Sequence, residues 1–212
     1  MMWLVVGLVV LLGGAGVAIA LTASHNSKGQ ATPTTTLVTS NHSRAGSTPT
    51  SSSTSTTAAT TQALAQSQAA ALSGLLSQSA NDRAATAAAT TSISSCGDLQ
   101  TAESALDASA SSRQSLLSQL QGLKMSALPN GSQLTGYLTA AWSNSEASDR
   151  SYAGWAADQI SSGCTPNDTS DVNFQNAQGT DVQATSNKTS FASLWNTIAP
   201  AYNLPTVNPS NL

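Results

Sequence analysis

The stretch LTGYLTAAWSNSEASDRSYAGWAADQISSGC, residues 134–164, decides the fold. Wound at about 100° per residue, it puts Leu134, Leu138, Ala141, Ser145, Tyr152 and Ala156 on one face, with Trp142, Asp149 and Ile160 on one shoulder and Trp155 on the other. The spacing predicts a long amphipathic helix that carries a carboxylate beside its buried stripe and closes on a cysteine.

The same period recurs on both sides. Ala65, Leu72, Leu75, Leu76, Thr86 and Ile93, with Ser79 and Arg83 in the same stripe, predict a first helix over 62–95. It stops at Cys96-Gly97, where glycine permits a left-handed cap, and Asp98 caps the next helix. The second helix carries Leu99, Ala102, Leu106, Arg113, Leu116, Leu117, Leu120 and Leu123 and is closed by the turn Leu128-Pro129-Asn130-Gly131, after which Ser132 caps the third. Beyond Gly163-Cys164 and a polar loop, a fourth helix over 173–199 turns Phe174, Ala177, Ala184, Phe191, Trp195 and Ile198 inward, and Pro200 and Pro205 end it.

Four helices of similar length joined by short turns predict an all-α, antiparallel up-down-up-down four-helix bundle over 62–205, and no β-like alternation competes. In that topology the first and third connections share one end, which brings Cys96 and Cys164 together. Their disulfide would close a loop of 68 residues (164 − 96), worth about 4 kcal/mol in the chain-entropy account. The alternative is a pair of free thiols in a cytoplasmic domain.

Composition narrows the partners. With 40% hydrophobic but only 4% aromatic residues, the core must be built mainly from Ala and Leu, which suits closely packed helices. A net charge of −3, with the seven Lys and Arg scattered, offers no basic field for nucleic acid. Residues 1–21, MMWLVVGLVVLLGGAGVAIAL, carry no charge and match the roughly 20 apolar residues that cross a bilayer, so they read as a transmembrane signal anchor. Ala18-Ile19-Ala20 keeps open the alternative of a cleaved signal peptide and secretion. Lys28 and Arg44 follow this segment and would favour a cytoplasmic C-terminus, but two spaced cations weigh less than the exported character of what comes next.

Residues 22–61 are dominated by Ser and Thr, with TPTTT and STPTSSSTSTTAATT, and cannot bury enough apolar surface to offset their ordering entropy. They are expected to form a disordered stalk, with ends roughly 35 Å apart as a flexible coil of about 40 residues. Asn41, Asn130, Asn167 and Asn187 head Asn-x-Ser/Thr triplets, a pattern that an Asn- and Ser-rich chain also produces by chance. Residues 206–212 are expected to be a free tail, since NLPTVNPSNL holds neither a sorting signal nor a second apolar span.

Each bundle helix has a charge in or beside its stripe. Arg83 lies 13 residues before Cys96, Arg113 lies 15 after Asp98 and Asp149 lies 15 before Cys164, while Lys188 sits at a similar depth in the fourth helix. At about 1.5 Å per residue they share a level roughly 20–23 Å from the bridged end, which predicts a mid-bundle polar belt with Asp82 and Asp181 beside it. One reading is interior ion pairing, Arg113 with Asp149, that fixes helix register. The other is a pocket in which inward Arg83, Arg113 and Lys188, edged by Tyr152 and Trp155, hold a small anionic or carbohydrate ligand.

Chemistry beyond binding is poorly supplied. Both histidines, His25 and His42, precede the bundle, so the Glu-x-x-His motifs of a di-iron bundle and the usual haem or zinc ligands are missing. No cofactor or metal is expected. Without histidine in the domain there is no ordinary Ser/His or Cys/His pair, and neither G-x-S-x-G nor S-x-x-K occurs. Asp149 with Asp181 makes a poor glycosidase pair on interior helix positions. Most aromatic residues follow helical spacing and are expected in the core, with Trp155 and Tyr202 the exposed exceptions.

Cys96-Gly97, Arg113 with Leu116, Leu128-Pro129-Asn130-Gly131, Ser148-Asp149 with Tyr152 and Trp155, Gly163-Cys164, Lys188 with Phe191, Leu194-Trp195-Asn196, Tyr202 and Leu204-Pro205 together carry a resemblance. Over residues 72–205 the chain resembles a type of actinobacterial exported protein with an N-terminal apolar segment, a Ser/Thr/Ala stalk and an Ala-rich helical domain with one cysteine pair. The resemblance implies an extracytoplasmic compartment and no particular chemistry. The expectation is a non-enzymatic, membrane-tethered module that meets an envelope protein or cell-wall partner, with a ligand-binding ectodomain as the alternative and an envelope hydrolase third.

Overall fold

The computed structural model describes residues 53–212, and within them the chain is a bundle of four helices with no strand. These are α1 (Ser53–Ser94), α2 (Leu99–Gly122), α3 (Gly131–Ser162) and α4 (Val172–Ile198), followed by two short 3-10 turns, Ala199–Tyr202 and Pro209–Asn211. The apolar segment 1–21 and most of the Ser/Thr tract lie outside the described residues. Helix α1 begins at Ser53, inside the stretch that composition assigns to the stalk, so the boundary expected after residue 61 moves back. Residues 53–61, STSTTAATT, contain neither Pro nor Gly to break a helix, and they continue α1 outward from its packed part without a new nucleation step.

Hydrogen bonds between helices set their directions. Trp142 pairs with Ser79 and Asp149 with Thr86, both 63 residues apart, so α1 and α3 run parallel. Arg113 meets Asp149 and Gln114 meets Glu146, which is antiparallel register for α2 and α3. Ser148 meets Asp181 and Asp158 meets Asn173, which makes α4 antiparallel to α3.

The turns differ in detail from the sequence reading. The left-handed residue after α1 is Cys96 (φ 53), not Gly97. The Gly97 amide donates to the Ser92 carbonyl at 2.8 Å and the Cys96 amide to Ile93 at 3.0 Å, a Schellman closure. Gly97 packs closely on the preceding turn, where a Cβ would lie 2.6 Å from Ser92 Oγ and would make that hydroxyl turn away. Asp98 caps α2 by accepting from the Thr101 amide at 3.0 Å. Ser132 does not cap α3. The cap position falls two residues earlier, at left-handed Asn130, and Gly131 is pressed so close to Met125 that a Cβ would meet its carbonyl oxygen at 2.0 Å. Asp171 caps α4 through the Asn173 and Phe174 amides.

Two apolar clusters fill the interior. The larger gathers Leu72, Leu76, Leu116, Leu134, Trp142 and Trp195 with their neighbours at the end away from the cysteines. The smaller, built on Ile93, Leu106, Tyr152, Trp155 and several alanines, lies towards the cysteine end. There Cys96 and Cys164 form the expected disulfide, with their Cα atoms 5.7 Å apart. The tail is not free. Trp195 Nε1 donates to the Pro205 carbonyl at 3.1 Å, Asn196 grips the Val207 backbone through both its amide atoms, and Leu212 is buried in the larger cluster. The last helix thus presents polar side chains that fold the following residues back over the core.

Candidate functional site

The boundary between the two apolar clusters is polar, and Asp149 is its centre. Its position on the flank of the α3 stripe turns the carboxylate toward α2 and α1. Asp149 Oδ2 accepts from Arg113 Nε at 2.6 Å, and Oδ1 accepts from the Thr86 hydroxyl at 3.0 Å. The Arg113 and Asp149 side chains are 1% and 3% exposed, so the ion pair is sealed from water. Burial raises the Asp149 carboxyl above its ordinary range, against the Arg113 charge and hydrogen bond and the Thr86 hydroxyl, while Asp181 adds to the rise. Both carboxylate oxygens are thus engaged by side chains from the two neighbouring helices.

On the α3–α4 side, Asp181 accepts from Ser148 Oγ and from the Tyr152 hydroxyl, each at 2.9 Å. Gln178 donates to the Tyr152 oxygen at 2.7 Å. Burial and the Asp181 charge push the Tyr152 phenol upward, which keeps it protonated and donating. Lys188 is buried in α4 with no carboxylate within ion-pairing distance among the described residues. Desolvation, followed by the Arg113 and Arg83 charges, draws its ammonium down to about 8, with Asp181 and Asp149 acting the other way. Asp82, half-buried on α1, is raised by burial, opposed by a hydrogen bond with Ser112 and by Arg113.

Two expected members stand elsewhere. Arg83 is exposed rather than inward. Its long stem can carry the guanidinium out to water, which avoids the desolvation cost of a second buried arginine, and the inward position one turn on is taken by Thr86. Trp155 is 1% exposed, not an open contact surface. Its ring lies edge-on to Phe174 at 4.9 Å and beside Tyr152 at 6.3 Å, so it belongs to the smaller cluster. Tyr202 is half-buried, and its carbonyl accepts from Gln66.

The belt's small polar members, Thr86, Ser145 and Ser148, were the least visible in the sequence. Their signal is a hydroxyl on an interior stripe within one turn of a charge, a weak pattern in a chain so rich in Ser and Thr. No group of three or more His, Cys, Asp or Glu that could hold a metal gathers among the described residues. No protein-family model matches the chain, and no match is found among curated proteins or solved structures.

Proposed function

We propose that this protein is a membrane-tethered, extracytoplasmic helical module with a non-enzymatic interaction or structural role at the cell envelope. The disulfide between Cys96 and Cys164 carries the reading, because such bonds persist in oxidising compartments and are rare in the cytosol. The uncharged segment 1–21 supports a tether, either as an anchor or, if cleaved near Ala20, as an export signal for a secreted form. The sealed Arg113–Asp149 pair supports a structural use of the belt. A ligand-binding ectodomain would need solvent to reach that pair, and its burial weighs against this second reading.

The test is thiol labelling of intact cells with a membrane-impermeant maleimide. Labelling of Cys96 and Cys164 only after reductant is the expected result. Thiols that are free without reductant, yet reached only after the cells are lysed, would overturn both the compartment and the orientation.

A further inference from the structure

Two helices bring enclosed polar atoms without a partner to one place, and a third sets a lysine beside them. Arg113 Nη1 on α2 and Ser145 Oγ on α3 are buried with no hydrogen-bond partner among the described residues. Lys188 on α4 is 7% exposed and is in neither of the two ion pairs among these residues. Arg113, at 1%, and Ser145, at 3%, are at least as deeply enclosed.

Helix register places them together. Arg113 is held through Nε on Asp149, and Ser145 lies one turn before Asp149 on the same face of α3. Across α3 and α4, paired residues sum to about 330, as in 148 + 181 and 158 + 173, so Ser145 lies level with residues 184–185. Lys188 is one turn beyond, and helical side chains lean toward their own N-terminus, which on α4 carries the ammonium back toward Ser145 and Asp149. The opposing influences of Arg113 and Asp149 on the Lys188 charge agree with that placement.

We infer that Arg113 Nη1, Ser145 Oγ and Lys188 Nζ share an ordered internal water that bridges α2, α3 and α4. Buried donors are rarely left unpaired, and a water with about three polar partners is the common solution. The charge balance selects a neutral occupant over an anion. Arg113 is already paired with Asp149, and Asp181 also acts on Lys188, so an anion would add a further negative charge beside two carboxylates. A water can accept from the guanidinium and the ammonium and donate to the serine oxygen. Its role is to keep Lys188 charged inside the bundle and to couple α4 to the Arg113–Asp149 pair.

Two measurements on the full chain test this. In crystals soaked in bromide, the expected result is ordered density within hydrogen-bond distance of all three atoms and no anomalous signal there. A bromide peak would make the site an anion site and overturn the inference, as would direct protein acceptors on all three atoms with no density between them. In solution, oxygen-17 relaxation dispersion counts long-lived internal waters. Ser145→Ala and Lys188→Met should each lose one such water relative to wild type. An unchanged count would overturn the proposal, and Ser145→Ala, which deletes a single hydroxyl, keeps the test open should Lys188→Met fail to fold.

Discussion

The two ends of the bundle are held by different means. Away from the cysteines, Trp142, Trp195, Phe191 and a set of leucines make a large cluster, and the residues after α4 fold over it through Trp195, Asn196 and Leu212. At the other end, Ala89, Ala102, Ala153, Ala156 and Ala177 leave less apolar surface to bury, and a covalent bond closes the helices instead. Apolar burial contributes about 25 cal/mol per Å², so alanine-lined helix contacts contribute much less than Trp-lined ones. Where side-chain volume is scarce, the chain uses a cross-link that restricts the unfolded state.

Removing the cross-link should therefore act unequally. The double substitution Cys96→Ser with Cys164→Ser is expected to cost about 4 kcal/mol in denaturant unfolding. Hydrogen exchange should show the loss of protection concentrated around Ile93, Leu106 and Trp155, with Leu72, Leu116 and Trp195 protected nearly as before. Equal loss at both ends would break the comparison.

The polar layer between the ends has its own pH signature. Lys188 has a folded-state value of about 8 against an ordinary 10.5, so between these the unfolded chain binds more protons and stability rises with pH. The gain is about 3 kcal/mol at most. It should appear in unfolding curves of the wild type relative to Lys188→Met, which cancels the other groups titrating in that range. A flat difference between pH 8 and 10.5 would show that Lys188 is not held in this layer.

The smallest effect lies at the tail. Asn196→Ala removes both amide contacts to Val207 and should cost about 1–2 kcal/mol. Proteolysis should then nick the last residues first while the disulfide end stays intact. No change in cleavage would show that Trp195 and Leu212 hold the tail alone.

Much of this was legible in the sequence because it rests on period and topology. The stripes through Leu72, Leu106, Leu134 and Phe191 define helix faces, and the order of four helices brings Cys96 and Cys164 to one end. The Arg113–Asp149 pair followed from equal depth in neighbouring helices. What local pattern could not supply was the identity of the far partner. Trp155 lies on a shoulder of its own helix and is interior only because Phe174 arrives from α4. Arg83 follows the stripe, but a long side chain can leave it for water. The tail has no period to read, and its burial depends on Trp195 and Asn196 reaching forward from the preceding helix.

A double-mutant cycle on Arg113→Met and Asp149→Leu tests the central claim, that the belt is a sealed layer joining the two halves. Each single substitution strands a buried charge and should cost about 3–5 kcal/mol. The pair together should return to within about 1 kcal/mol of wild type, since both charges leave at once. Losses that simply add would contradict a sealed pair and point to two groups that act separately.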